Sequence, residues 1–460
     1  MTLRLPLVAV SGLALLVSAC QLDKDQKPAR PVVHYSLSSA TTALGDDGGP
    51  LIPESAQAGI AGSLEMLFGT PQAPIYQLLP EWKDEGFNPN WPQYPEGEDG
   101  SGEVDPAELV ANNQMYWRRQ LTAIDAGLWD RVFVQDFTPD LRADWKALCA
   151  KTPVEARNEE FKKAARELFE NYYPKLSASA ELYRQHCLHC HGPEGGGDGP
   201  TAPFLNPRPR DYRHGTFKFT AVGKAQPRRE DLHRILDEGV TGTSMPSFRR
   251  FSRAQLHGLV DYVRLLSMRG MVERSLLATY EEEEALTSGD TIDAYVEVWE
   301  KWQKADSKVL NFEGEVPVPT AETIAHGREL FMDAKSGNCY SCHGPEGRGN
   351  GASAFALNPE TGKVVPTYKD DWGNEIIPRN LRLGIFRGGR RPIDIYRRIK
   401  YGIAGGPMPE AASSLSNEDL WHLVHYVGSL SERPQHKAAH VDHAADHGGD
   451  QAGDQAGEKH

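Results

Sequence analysis

An apolar stripe at i, i+3, i+4 and i+7 occurs twice in the chain, as Leu256, Leu259, Val260 and Val263 and again as Leu420, Leu423, Val424 and Val427. That spacing places each set on one face of a helix. Ser252 and Ser416 stand where the N-caps of these helices belong. A shorter helix upstream of each ends in an aromatic residue, Tyr183 or Phe331, and Tyr262 and Tyr426 on the later helices are placed to pack against them. Between the two sets, Ile292, Tyr295, Val296, Trp299 and Trp302 predict a connector helix packed on a domain surface. Phe161, Ala165, Leu168, Phe169 and Tyr172 predict another amphipathic helix over 155–172, ended by Pro174. Helical pieces are also expected over 106–127 and 140–150.

The paired helices close two copies of one segment. Cys190-His191-Gly192-Pro193-Glu194-Gly195 returns unchanged as Cys342-His343-Gly344-Pro345-Glu346-Gly347, and Leu205-Asn206-Pro207 returns as Leu357-Asn358-Pro359. Pro209-Arg210-Asp211-Tyr212-Arg213 matches Pro378-Arg379-Asn380-Leu381-Arg382, with an insertion around 360–377 in the second copy. Asp231, Arg234, Gly239, Met245 and Pro246 then match Asp394, Arg397, Gly402, Met408 and Pro409. An internal repeat of this length predicts two homologous domains, 175–270 and 317–432, with a helical connector over 271–316. Ahead of them lie a leader at 1–19, a flexible tether at 20–59 rich in Pro, Ser, Thr, Gly and Asp, and an extension at 60–174 to which no role is assigned.

Each copy carries Cys-x-x-Cys-His, as Cys187-Leu188-His189-Cys190-His191 and Cys339-Tyr340-Ser341-Cys342-His343. Two thiols at this spacing can add to the two vinyl groups of one haem, and the adjacent histidine falls beneath the iron. A structural zinc site would need a second ligand pair at matching spacing in the same domain, and neither copy has one. A thioredoxin-like redox pair is the other alternative. Two covalently bound haem c groups are therefore expected, on Cys187 and Cys190 and on Cys339 and Cys342. Of the six cysteines, Cys149 is then expected as a small buried apolar residue.

Each repeat resembles a class I cytochrome c domain, with C-x-x-C-H-G, a Gly-rich loop, a Pro-rich stretch, a late Met-Pro and a closing amphipathic helix. The resemblance implies a mainly α fold, two tandem class I cytochrome c domains, wrapped around haem in each half. It also implies that the carbonyl of Pro203 receives the proximal imidazole N–H; the second copy has Phe355 in that place.

A second strong ligand on the iron makes an electron carrier, whereas an open face makes a substrate or gas site. Among eight methionines, Met245 and Met408 occupy matching places in Gly/Pro loops and are expected as axial ligands opposite His191 and His343. The competitors are His214, His233, His257, His422 and His425, none of which recurs at a homologous position. Arg210 and Arg379 do recur, either as forks onto haem propionates or as caps of loop carbonyls.

The first 19 residues pair Arg4 with an apolar run from Leu5 to Val17 and small residues before Cys20, the pattern of a secretory signal. Val17-Ser18-Ala19-Cys20 resembles a bacterial lipoprotein box, which implies lipidation of Cys20 and a membrane-anchored lipoprotein facing the periplasm; the resemblance to bacterial cytochromes implies haem attachment on that same side. A net charge of −14 argues against nucleic acid as a partner. Acidic runs at 83–105 and Glu281–Glu284 read as solvated surface or linker, with a docking face for a basic partner as the alternative. His436, His440, His443, His447 and His460 lie in a tail, 433–460, expected to be disordered and a candidate metal binder.

The function expected from these features is transfer of single electrons on the periplasmic side of a bacterial membrane, as subunit or partner of a respiratory complex such as a quinol-oxidising complex or terminal oxidase. The alternative is a dihaem redox enzyme, of peroxidase or thiosulfate dehydrogenase type, with one open-coordination haem. A haem-based sensor has no signalling module to support it.

Overall fold

The structure, a computed structural model, describes residues 33–45, 48–74, 139–152, 160–161, 163–164, 167–168, 176–310, 312 and 314–431. The leader, Cys20, the 106–127 helix and the His-rich tail lie outside these residues, as does most of the 155–172 helix. In chain order come α1 (Glu54–Phe68) and α2 (Pro139–Lys151), then α3 (Leu176–His186), the single-turn α4 (Leu188–His191), α5 (Arg229–Glu238) and α6 (Arg253–Glu283). α7 (Ser288–Gln303) leads to α8 (Ala321–Met332), α9 (Cys339–His343), α10 (Pro392–Tyr401) and α11 (Asn417–Ser429). The insertion of the second copy contributes to two small antiparallel hairpins, β1 (Phe355–Leu357) with β2 (Val364–Pro366) and β3 (Tyr368–Lys369) with β4 (Glu375–Ile376). The fold is mainly α, in two tandem units.

Each unit is organised by a first helix packed on a last one: α3 on α6, and α8 on α11. The last helices begin where their sequence signals stand, for Ser252 and Ser416 each accept the N–H three residues on while Gln255 and Asp419 return the bond. Such reciprocal caps satisfy donors the helix itself leaves free. At the crossings the aromatic pairs meet, Tyr183 with Tyr262 at 5.1 Å and Phe331 with Tyr426 at 5.2 Å between ring centroids.

Two expected boundaries differ in the structure. The boundary at 270 falls inside α6, which runs on to Glu283 because Val272 and Leu276 continue its buried stripe. Gly270 does not stop this helix; a Cβ there would collide with Arg213, so the glycine permits a close approach. Tyr295, Val298, Trp299 and Trp302 of α7 then join the core of the first unit, so most of the expected connector belongs to that unit.

The expected flexible tether is likewise docked from residue 33 onward. Ile60, Leu64 and Phe68 of α1 are buried in the same core, and the Tyr35 hydroxyl lies 2.9 Å from that of Tyr262. The reason sits on α6, where Arg269 and Glu273 have side-chain exposures of only 3% and 1%. Buried charges need partners. The Ser38 amide and Thr41 hydroxyl donate to Glu273 at 2.6 and 2.7 Å, and Arg269 donates to the Ser36 carbonyl at 3.2 Å. Polar composition alone reads as a tether, while the partners that order it lie far along the chain. Cys149, on α2, is half-buried rather than buried.

Candidate functional site

The two Cys-x-x-Cys-His motifs form single helical turns, α4 and α9, each ended by a glycine at φ 76° whose N–H closes the turn. In the first, the His191 amide bonds the Cys187 carbonyl at 2.9 Å, so thiols and imidazole share one short scaffold. The Tyr183 hydroxyl donates to the Gly192 carbonyl at 2.8 Å and ties that scaffold to α3.

Nδ1 of His191 lies 3.1 Å from the carbonyl oxygen of Arg210, and Nδ1 of His343 lies 3.4 Å from that of Arg379. A carbonyl can only accept, so Nδ1 carries the proton and Nε2 keeps its lone pair for a metal. Burial pushes His191 down to about 4, against the smaller opposing effect of the Arg210 carbonyl, and burial also lowers His343. Both imidazoles are thus neutral, as a ligand requires. These contacts correct the expectation for Pro203, which lies in the short turn Ala202–Phe204, and they remove the asymmetry with Phe355. The same Pro-Arg turn serves both copies.

A cavity of about 740 Å³ opens beside α4, walled by Cys187, Cys190, His191 and Met245, with Leu232, Leu236, Leu259 and Val263 behind them. His214, His233 and His257 do not line it. In the first methionine loop the Val240 amide donates to the Met245 carbonyl at 3.1 Å; in the second, Ile403 donates to Met408 at 3.1 Å, so Met408 occupies the matching turn. Burial raises the thiols of Cys187 to about 12 and Cys339 to about 11, the opposite of the low values a redox dithiol needs.

The polar rim of the cavity comes from both units. Arg210 and Lys218 meet Asp370, Asn374, Glu375 and Arg387 of the second copy. Lys218 pairs with Asp370 at 2.9 Å. Arg387, lowered to about 10 by burial, has an Nε with no hydrogen-bond partner among the described residues. Lys218 and Arg387 went unnoticed in the sequence, although each follows a Gly-x-Phe at the same place in its repeat. Arg379 makes loop contacts, donating to the Ile385 carbonyl at 3.3 Å and to the Gly242 carbonyl of the first methionine loop at 3.4 Å. Thiols, a neutral imidazole and a thioether on an apolar wall, with the Arg387 cation at the rim, fit an iron macrocycle bearing acidic arms.

Residues 174–263 match the family described as cytochrome c oxidase, cbb3-type, subunit III, and residues 324–431 match the cytochrome c family. No curated protein shows significant similarity to the chain. Among solved structures, a chain of the reducing HAO-like protein complex of Kuenenia stuttgartiensis is 28% identical, covering 55% of this chain and 96% of its own, with a TM-score of 0.42. With a cytochrome c match over each copy, and a Cys-x-x-Cys-His turn inside each match, the chain is a dihaem class I c-type cytochrome, an electron-transfer protein with one haem c bound covalently in each domain.

Proposed function

We propose that the protein passes single electrons between redox proteins as a subunit or docking partner of a respiratory complex, on the periplasmic side of a bacterial membrane to which lipid on Cys20 holds it. The observation that carries the carrier reading is that His191 and Met245 wall one cavity, while Met408 occupies the matching turn beyond His343. Cys187 and Cys190 would hold the first haem and Cys339 and Cys342 the second, with His191 and Met245 as the iron ligands of the first and His343 and Met408 as those of the second. A haem held by these residues would supply one-electron chemistry. The protein's own residues keep it so. The Arg210 and Arg379 carbonyls fix each imidazole, the methionine turns place the thioethers, and Arg387 would offer positive charge to the acidic arms of the first haem.

The match of 174–263 to an oxidase-subunit family supports a respiratory partner. Among the described residues no helix is long and apolar enough to cross a membrane, and the lipoprotein-like Val17-Ser18-Ala19-Cys20 supports an anchor of another kind. Detergent extraction of native membranes, followed by identification of co-purifying proteins, tests the partner. Palmitate labelling lost in Cys20→Ala tests the anchor. A soluble wild type that starts at another residue would reject the anchor, and a chain that purifies alone while consuming peroxide or thiosulfate would favour the enzyme.

A further inference from the structure

The second domain carries a cluster of ligating side chains away from its Cys-x-x-Cys-His turn, where α8 crosses α11. The helices approach so closely that a Cβ on Gly327 would strike the His422 carbonyl. Beside this crossing, His326 of α8 meets Asp419 and His422 of α11, which stand one turn apart on one face. Nε2 of His326 lies 3.4 Å from Oδ1 of Asp419, the two imidazole centroids are 5.1 Å apart, and the ligand atoms offered by all three residues lie within 4.8 Å of one another. An ion with ligand bonds of about 2.0–2.1 Å in tetrahedral array separates neighbouring ligand atoms by roughly 3.4 Å. One edge of the triangle already has that length, and His326, half exposed, is free to adjust the others.

The groups around the triangle are arranged as an ion would need. Nδ1 of His326 faces the Glu329 carboxylate at 3.3 Å, which holds a proton on that outer nitrogen and leaves Nε2 for the ion. A histidine ligand is ordinarily oriented in this way by an outer carboxylate. Nε2 of His422 lies 4.0 Å from Glu418, while its Nδ1 is buried with no hydrogen-bond partner among the described residues. Asp419 spends Oδ2 on the Ser416 cap at 3.0 and 2.8 Å, and Oδ1 faces His326. A simple His326–Asp419 ion pair accounts for neither the buried His422 nitrogen nor the outer carboxylates. The helix crossing does not itself require these residues, since the first domain has Ala178, Gln255 and Gly258 at the equivalent positions.

We propose that His326, Asp419 and His422 form a binding site for a divalent transition-metal ion, zinc above all, that clamps the first and last helices of the second domain. Two imidazoles and a carboxylate suit zinc, and a fourth position is left to water.

The test uses the full-length dihaem protein with the five tail histidines changed to alanine, so that the tail supplies no imidazole ligands. After exposure to zinc and desalting, metal content is measured against haem iron, and thermal unfolding is compared with and without EDTA. One zinc per two haem irons and a higher unfolding temperature with zinc are expected. His326→Ala, at an exposed position, should abolish both effects while leaving the haem spectrum and the unfolding temperature in EDTA unchanged. Glu329→Gln should weaken zinc binding by about 10–100-fold through the outer nitrogen alone. Failure of the parent to retain zinc, or zinc content and stabilisation unchanged in His326→Ala, would overturn the proposal.

Discussion

The guanidinium of Arg210 lies 3.5 Å from the centroid of the Trp372 ring. Arg210 supplies the carbonyl behind His191, and Trp372 sits in the turn between β3 and β4 of the second domain. The Trp372 ring in turn abuts Gly405 in the Met408 loop, where a side chain would collide with it. The reciprocal contact exists as well: Arg379, behind His343, reaches Gly242 in the Met245 loop. Each imidazole support is thereby joined to the other domain's methionine loop, so a disturbance at this interface reaches both sites.

Trp372→Leu should therefore open the first site to water and lower the potential of the first haem, since water stabilises the more highly charged ferric state. Trp372→Phe, which keeps an aromatic face for Arg210, should restore most of the shift. Spectroelectrochemical titration resolves the two haems; identical titrations of the wild type and Trp372→Leu would reject the coupling.

Loss of a thioether should mark each haem separately. Met245→Ala and Met408→Ala are each expected to open one haem to CO, halve the weak near-infrared band of ferric iron–sulfur ligation and lower one potential. A wild-type site that is already high-spin or binds CO rapidly would mark that domain as catalytic.

The docking of residues 33–68 on α6 should show in stability. Tyr35→Phe leaves the buried Tyr262 hydroxyl without the partner it has at 2.9 Å, at a cost of about 1–3 kcal/mol. Tyr262→Ala, which also removes the contact with Tyr183, should cost about 3–5 kcal/mol. Denaturant midpoints followed by circular dichroism measure both. A midpoint unmoved by Tyr35→Phe would mean that the segment is not held there.

His257 sets an acid dependence. Burial, aided by Arg229 and His233, lowers it from 6.5 to about 3. The unfolded chain then binds the extra proton across that window, so stability is lost as pH falls from about 6.5 toward about 3. His257→Phe should flatten the pH dependence of the unfolding free energy there by close to one proton. An unchanged slope would show that other groups carry it.

Much of the molecule was legible from local spacing. The helical periods around Leu256 and Leu420, the caps at Ser252 and Ser416, and the adjacency in Cys-x-x-Cys-His are constraints within one or two turns of chain. Their geometry follows from bond lengths and helix pitch, whatever surrounds them. The matching places of Met245 and Met408 were legible too, because a repeat is its own comparison. The rest depended on partners distant in sequence. Packing against Tyr262, Arg269 and Glu273 orders the hydroxyl-rich stretch after residue 33, and the continued apolar face of α6 carries that helix past Gly270. The Arg210 carbonyl could replace that of Pro203 as acceptor because the chain returns to His191 there, a matter of loop path that no side-chain pattern records. Arg387 reaches the rim of the first cavity across a domain boundary. Contacts of that kind arise when two surfaces are buried together, and their energies belong to the pair of surfaces, not to either stretch of sequence.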